Sequence, residues 1–224
     1  MDNDFLKKTE DGLIITDGEQ QLRGDFTKML PRLKYNNLTH ELLVKAVKIK
    51  NFEGTLNVLD ATAGMGEDSL LLAAAGFNVS LFERDSVIAA LLRDTIERSA
   101  EILELREIVG RMHLREADSI KVMTAMAENP DDEICRGIPK PDVIVLDPMF
   151  PARKKSALVK KKFQVLHQLE APCPDEEELI QAAVLLKPRK IVIKRPAKGP
   201  YLAGIKPSYS LDGKAIRYDC IMLT

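Results

Sequence analysis

From residue 56 onward, short apolar runs alternate with longer runs of helical spacing, and few folds accept that alternation. Leu56–Asp60, Asn78–Glu83, Met112–Ala117, Asp142–Asp147 and Lys190–Lys194 have the length and apolar content of buried strands. Helical patterns lie between them, over residues 67–75, 86–108, 119–127 and 175–186. In the long helix, Ile88, Leu91, Leu92, Ile96, Ile102 and Leu103 form the apolar side. Strand and helix in strict turn predict an α/β fold, a doubly wound and mostly parallel sheet with helices on both faces. The chain then ends differently. Tyr209–Leu211 and Lys214–Leu223 flank Asp212-Gly213, which supplies the positive φ values of a tight turn, so an antiparallel hairpin closes the sheet at seven strands.

Residues 1–55 read as an appendage to a domain spanning 56–224. Gly12–Thr16 and Glu19–Arg23 flank Asp17-Gly18, a second hairpin signal, and residues 40–50 place Leu43, Ala46 and Val47 on one helical face. At 45% hydrophobic and 30% charged residues, the chain is no disordered segment. Its apolar runs are too short to span a bilayer, and its acidic start lacks the plan of a signal peptide, so a cytoplasmic protein is expected. Three cysteines (Cys135, Cys173, Cys220) without a CxxC pair, and three isolated histidines, predict neither a disulfide framework nor a bound metal. The formal charge of −1 hides a split: residues 1–139 carry −8 and residues 140–224 carry +7. That asymmetry hints at an anionic partner.

The first strand runs into Asp60-Ala61-Thr62-Ala63-Gly64-Met65-Gly66 and then a helix. In an open parallel sheet, ligands bind beyond the carboxyl ends of the strands, where glycines let backbone approach and a helix start offers free N–H groups. Glu83 ends the second strand, 19 residues after Gly64, where a carboxylate can accept both hydroxyls of a ribose. Ser69 stands where the third glycine of a dinucleotide fingerprint would be. Glycine turn and acidic strand end suit S-adenosylmethionine (SAM) as well as NAD. The fourth strand separates them. It ends Asp147-Pro148-Met149-Phe150, which resembles the Asp/Asn-Pro-Pro-aromatic signature of methyltransferases acting on exocyclic amines, with Met149 for the second Pro. An amine conjugated to a base ring is a poor nucleophile because its lone pair is delocalised. A carboxylate and a backbone carbonyl from a Pro-stiffened turn accept its two N–H protons and aim the lone pair, while Phe150 stacks on the flipped base. The closing hairpin agrees: class I methyltransferases end this way, and nicotinamide-binding Rossmann domains usually add another parallel unit.

The motifs as a set resemble one family. Asp60–Gly66, Phe82-Glu83-Arg84, Asp147–Pro151, Lys155–Lys161 (KSALVKK) and Val192–Pro196 (VIKRP) occur in that order. They are similar to the RsmJ family, SAM-dependent methyltransferases of guanine N2 in small-subunit ribosomal RNA, over roughly residues 40–220. The resemblance implies a seven-stranded class I methyltransferase fold, SAM as cofactor, and 16S rRNA or the small ribosomal subunit as partner. It implies SAM contacts from Asp60, Ala61, Thr62, Gly64 and Gly66, and from Glu67 and Asp68, where family members usually have Arg-Asp; Glu67 then serves through its backbone. It further implies contacts from Glu83 and Arg84, from Asp118 and Ser119 at the third strand end, where Asp118 could accept the adenine amino group, and from Asp147. Asp147, Pro148 and Phe150 are the implied catalytic set. Where better-known members carry a Gly-rich basic stretch before the first SAM strand, this chain reads Arg32-Leu33-Lys34-Tyr35-Asn36-Asn37-Leu38.

Two windows have no acidic residue. Arg153–Lys162 holds Arg153, Lys154, Lys155, Lys160, Lys161 and Lys162, and Lys187–Lys198 holds six more basic residues, of which Lys194 and Arg195 sit at the ligand-side strand end. Both are expected to rim the crevice and hold RNA phosphates. The other readings are an amino methyltransferase of adenine N6 or protein glutamine, an NAD-dependent oxidoreductase, for which the chain offers no convincing His or Tyr, and a non-catalytic RNA-binding protein.

Overall fold

The computed structural model describes residues 6–16, 21–148 and 175–223. A three-stranded antiparallel sheet opens the chain: β1 (Leu6–Thr9), β2 (Gly12–Thr16) and β3 (Gln21–Leu22). The residues of the Asp17-Gly18 turn lie outside the described residues, and β1 has no sequence signal, since Leu6 is its single apolar residue. A 3₁₀ turn (Phe26–Met29) and three short helices follow: α1 (Leu30–Leu33), α2 (Tyr35–Leu38) and α3 (Leu42–Val47).

The main sheet is built from β4 (Asn57–Asp60), β5 (Asn78–Glu83), β6 (Met112–Glu116), β7 (Val143–Leu146), β8 (Lys190–Pro196), β9 (Tyr209–Asp212) and β10 (Ile216–Met222). Its order is β6-β5-β4-β7-β8-β10-β9. The first five pair in parallel, and β10 runs antiparallel between β8 and β9. The expected class I sheet with its antiparallel closure is therefore present. The strand order reverses between β4 and β7, which places the crevice of a doubly wound sheet beyond Asp60 and Asp147.

Helices α4 (Glu67–Ala74), α5 (Ser86–Ala100), α6 (Leu103–Val109), α7 (Ser119–Glu128) and α8 (Glu176–Leu185) join the strands. Leu43, Val47, Leu71, Leu105 and Val109 bring α3, α4 and α6 onto one face. Val122, Met123, Leu179 and Ala183 bring α7 and α8 onto the other. Phe26, Met29 and Leu38 are buried in the first of these layers, and Ile15 of β2 packs on Val87 and Leu91 of α5. Asp85 starts α5 by accepting the N–H groups of Val87 and Ile88 at 2.9 and 3.0 Å. Among the described residues no helix is long and apolar enough to cross a membrane.

The structure differs from the sequence reading at residues 86–108. The expected single helix breaks at Ile102, whose backbone is extended (φ −94°, ψ 122°). On an unbroken helix Leu105 falls off the apolar stripe, and with the break at Ile102 Leu105 and Val109 are both buried in the core. Leu103, read as part of the apolar side, is left 78% exposed. Leu105→Ala should therefore lower the unfolding free energy by about 2–5 kcal/mol in chemical denaturation. Leu103→Ala should stay within about 0.5 kcal/mol of the parent protein, and equal losses would contradict the two-helix packing.

Candidate active site

Strands β4 to β8 end along one edge of the sheet and wall an open cleft of about 1030 Å³. Gly64 (φ 51°) and Gly66 (φ 77°) take left-handed backbone in the turn from β4 to α4. A Cβ on Gly66 would lie 2.5 Å from Leu92 Cδ1, so the helix start packs here on glycine alone. Asp60 is buried beneath the turn. It accepts the Thr62 N–H at 3.1 Å and the Ser69 hydroxyl at 2.6 Å. Ser69, in the place of the third fingerprint glycine, thus serves to hold the aspartate. Burial pushes the Asp60 carboxyl up to about 6, against the two hydrogen bonds, with Asp68 and Asp147 adding to the rise.

Glu83 links the glycine turn to the next strand end. Its Oε2 accepts the Gly64 N–H at 3.0 Å and its Oε1 the Asp85 N–H at 2.8 Å. Burial raises its pKa, and these backbone donors work in the opposite direction. Asp118 is the N-cap of α7: Oδ1 accepts the Ile120 N–H at 3.0 Å, which leaves Oδ2 for a ligand. Arg84 is half-exposed and faces Asp175 at 3.8 Å.

The turn after β7 is fastened to the turn after β4, because the Asp147 N–H donates to Thr62 Oγ1 at 2.7 Å. The Asp147 carboxylate meets Lys194 from β8, Nζ to Oδ2 at 2.8 Å, and the same ammonium donates to Asp68 Oδ2 of α4 at 2.7 Å. Burial raises the Asp147 pKa, with Lys194 opposing and Asp68 reinforcing. Burial likewise works against the charge on Lys194, but Asp68 and Asp147 outweigh it and hold the ammonium above its ordinary range.

All the described cofactor-side residues expected from the sequence line this one cleft: the Asp60–Gly66 turn, Glu67, Asp68, Glu83, Arg84, Asp118, Ser119 and Asp147, with Pro148 beside it. Phe150, Arg153, Lys154, Lys155, Lys160, Lys161 and Lys162 lie outside the described residues. The second basic window does not form a rim. Lys194 points into the cleft between two carboxylates. Arg195 is 2% exposed; it donates to Pro200 O at 2.9 Å and faces Glu176 of α8 at 3.4 Å. Lys190 is buried too, and its ammonium donates to Ala46 O and Lys48 O, fastening the end of α3. Strand alternation is the cause, since consecutive residues of β8 point to opposite faces. Reading Lys190–Pro196 with period 2 would have separated Lys194 from Arg195. The sequence reading also missed Phe26 and Lys28, which line the cleft from the N-terminal segment and carry no motif.

Chemically, the cleft offers carboxylates for hydroxyls and amines, backbone N–H groups at a helix start, and an acidic excess that suits a cationic centre. With the antiparallel closure of the sheet, this defines a class I SAM-dependent methyltransferase. The family model described as "Putative SAM-dependent methyltransferase" matches residues 6–223. The chain is 44% identical over 183 residues to ribosomal RNA small subunit methyltransferase J of Thioalkalivibrio sulfidiphilus, covering 82% of this chain and 68% of that protein. It is 40% identical to the protein of the same name from Pseudomonas fluorescens strain Pf0-1, covering 97% of this chain and 82% of the relative. The crystal structure of a SAM-dependent methyltransferase from Neisseria gonorrhoeae superposes with a TM-score of 0.75 at 30% identity, covering 97% of this chain and 82% of the other. An rRNA methyltransferase from Streptomyces viridochromogenes shares the fold at a TM-score of 0.52 and 14% identity, over 83% of this chain and 84% of that one. The chain belongs to the family of ribosomal RNA small subunit methyltransferase J.

The buried aspartate has a consequence for stability. A carboxyl whose folded pKa is raised from 3.8 to about 6 favours folding in its protonated form, so the folded state loses stability as pH climbs through that window. Asp60→Asn keeps an acceptor for Thr62 and removes the titration. Its unfolding free energy should gain on the parent protein between about pH 4 and 6, by up to about 3 kcal/mol. Parallel denaturation curves across that range would contradict the buried charge.

Proposed function

We propose that this enzyme methylates the exocyclic N2 amine of a guanine in small-subunit rRNA, with the domain over residues 56–224 holding SAM and the basic window Arg153–Lys162 and residues 1–55 serving the RNA side. The observation that carries this reading is the Asp147 carboxylate in the cleft at the strand switch point, on a residue whose backbone N–H is fastened to Thr62 beside the glycine turn. The names of the curated relatives support the rRNA substrate. The guanine N2 target rests on the Asp147-Pro148-Met149-Phe150 signature and on the family resemblance.

The donor set fits SAM. Glu83 would take the ribose hydroxyls, Asp118 Oδ2 the adenine amino group, and the turn from Asp60 to Asp68 the methionine end. When bound, SAM supplies a methyl group on a sulfonium, already activated for transfer. The chain does the rest by positioning and electrostatics. Asp147 and the Pro148 carbonyl accept the two N–H protons of the amine, which localises its lone pair toward the methyl group. The methylated nitrogen must shed one proton, and Asp147, its pKa raised by burial, can receive it.

Asp147→Ala should reduce methyl transfer by about 10²–10⁴-fold in a protein whose circular dichroism shows the fold retained. Retained activity would remove Asp147 from the chemistry. Glu83→Ala should weaken SAM binding by roughly 10–100-fold in calorimetry. For the substrate, deletion of the gene should remove one N2-methylguanosine from small-subunit rRNA in nucleoside analysis, and an unchanged methylation profile would overturn the assignment.

A further inference from the structure

Three elements meet at Lys194. The register of β7 on β8 pairs Leu146 with Ile193, so Lys194 stands level with Asp147, and α4 brings Asp68 to its other side. The Lys194 side chain is 24% exposed, and its ammonium is shared between the Oδ2 atoms of Asp68 and Asp147 at 2.7 and 2.8 Å. Among the described residues none donates a hydrogen bond to Asp147 Oδ1. One oxygen of the carboxylate is therefore pinned, and the other, on a side chain that lines the cleft, has no donor among the described residues.

An ionised aspartate accepts an amine N–H strongly at either oxygen and can take up its proton, whereas a protonated one keeps a weaker acceptor at one oxygen and offers a donor at the other. The surroundings of Asp147 press toward protonation. It is half-buried, and Asp68 of α4 and Asp60 of β4 repel its charge. Tyr218 of β10, opposite Lys194 in register, is buried and held neutral, mainly by desolvation. Arg195, from the other face of β8, adds a smaller attraction. The principal counterweight among these groups is Lys194.

We infer that Lys194 is a positioning residue: it keeps Asp147 ionised and fixes Oδ2 so that Oδ1 meets the acceptor amine, and Asp68 sets how much of its charge Asp147 receives. The inference rests on the methyltransferase reading of the cleft. It replaces the expectation that Lys194 holds an RNA phosphate, and it gives Asp68 a task apart from the cofactor.

The test is a titration of the Asp147 carboxyl by ¹³C NMR on the full chain, assigned by its loss in Asp147→Asn, alongside the pH dependence of kcat. Lys194→Met should move the Asp147 midpoint up by about 1–3 pH units, and the acid limb of kcat should follow it with the KM for RNA unchanged. Lys194→Arg should restore much of the shift. Asp68→Asn should move the midpoint down, because it removes a repelling charge and leaves the ammonium to Asp147. That opposite sign decides the matter even if Lys194→Met fails to fold. An unmoved midpoint in both variants would overturn the inference, as would a rise in KM for RNA with a flattened salt dependence and an unchanged acid limb. The titration needs no acceptor, so it stands whether or not guanine is the target.

Discussion

Every parallel strand of this sheet ends at the same edge, and the site depends on how that edge holds several carboxylates close together. Asp60, Asp68, Glu83 and Asp147 all line one cleft. Their repulsion is met by fixed donors: the backbone N–H groups of Thr62, Gly64 and Asp85, the Ser69 hydroxyl, and one lysine. Each donor belongs to an element whose position the sheet already sets. The cleft is therefore preorganised for a cationic ligand, and the cost appears as raised carboxyl pKa values at Asp60, Glu83 and Asp147.

Thr62 has a particular place in this arrangement. Its hydroxyl accepts from the Asp147 backbone across the switch point, 85 residues away in the chain. The turns after β4 and β7 are joined by this hydrogen bond, so a displacement of either moves the other. Such coupling suits a reaction whose rate depends on aligning two bound molecules.

Much of this was legible in the sequence, for physical reasons. Buried parallel strands need continuous apolar runs, so β4, β5 and β7 stand out, and their final acids, Asp60, Glu83 and Asp147, fall at the ligand edge by topology alone. The helix break at Ile102 was not legible, because an unbroken apolar stripe through Leu103 fits helical periodicity equally well; only packing selects Leu105 over Leu103. The split of Lys194 from Arg195 was available in principle through strand alternation, but reading Lys187–Lys198 as one basic patch concealed it. The N-terminal contribution of Phe26 and Lys28 had no local signal, since it arises from tertiary contact. The charge division between chain halves has also changed meaning. Of the basic residues of β8, Lys190, Lys194 and Arg195 serve the protein's own carbonyls and carboxylates.

The central claim is that the acidic cleft at the β4–β7 switch point seats the methyl donor against Asp147. The most direct measurement is a crystal structure of the full chain with S-adenosylhomocysteine. The account predicts ribose hydroxyls on Glu83, the adenine amino group at Asp118 and the sulfur turned toward Asp147, with Lys194 still on Asp68. A ligand seated elsewhere, or one whose ribose makes no contact with Glu83, would contradict it.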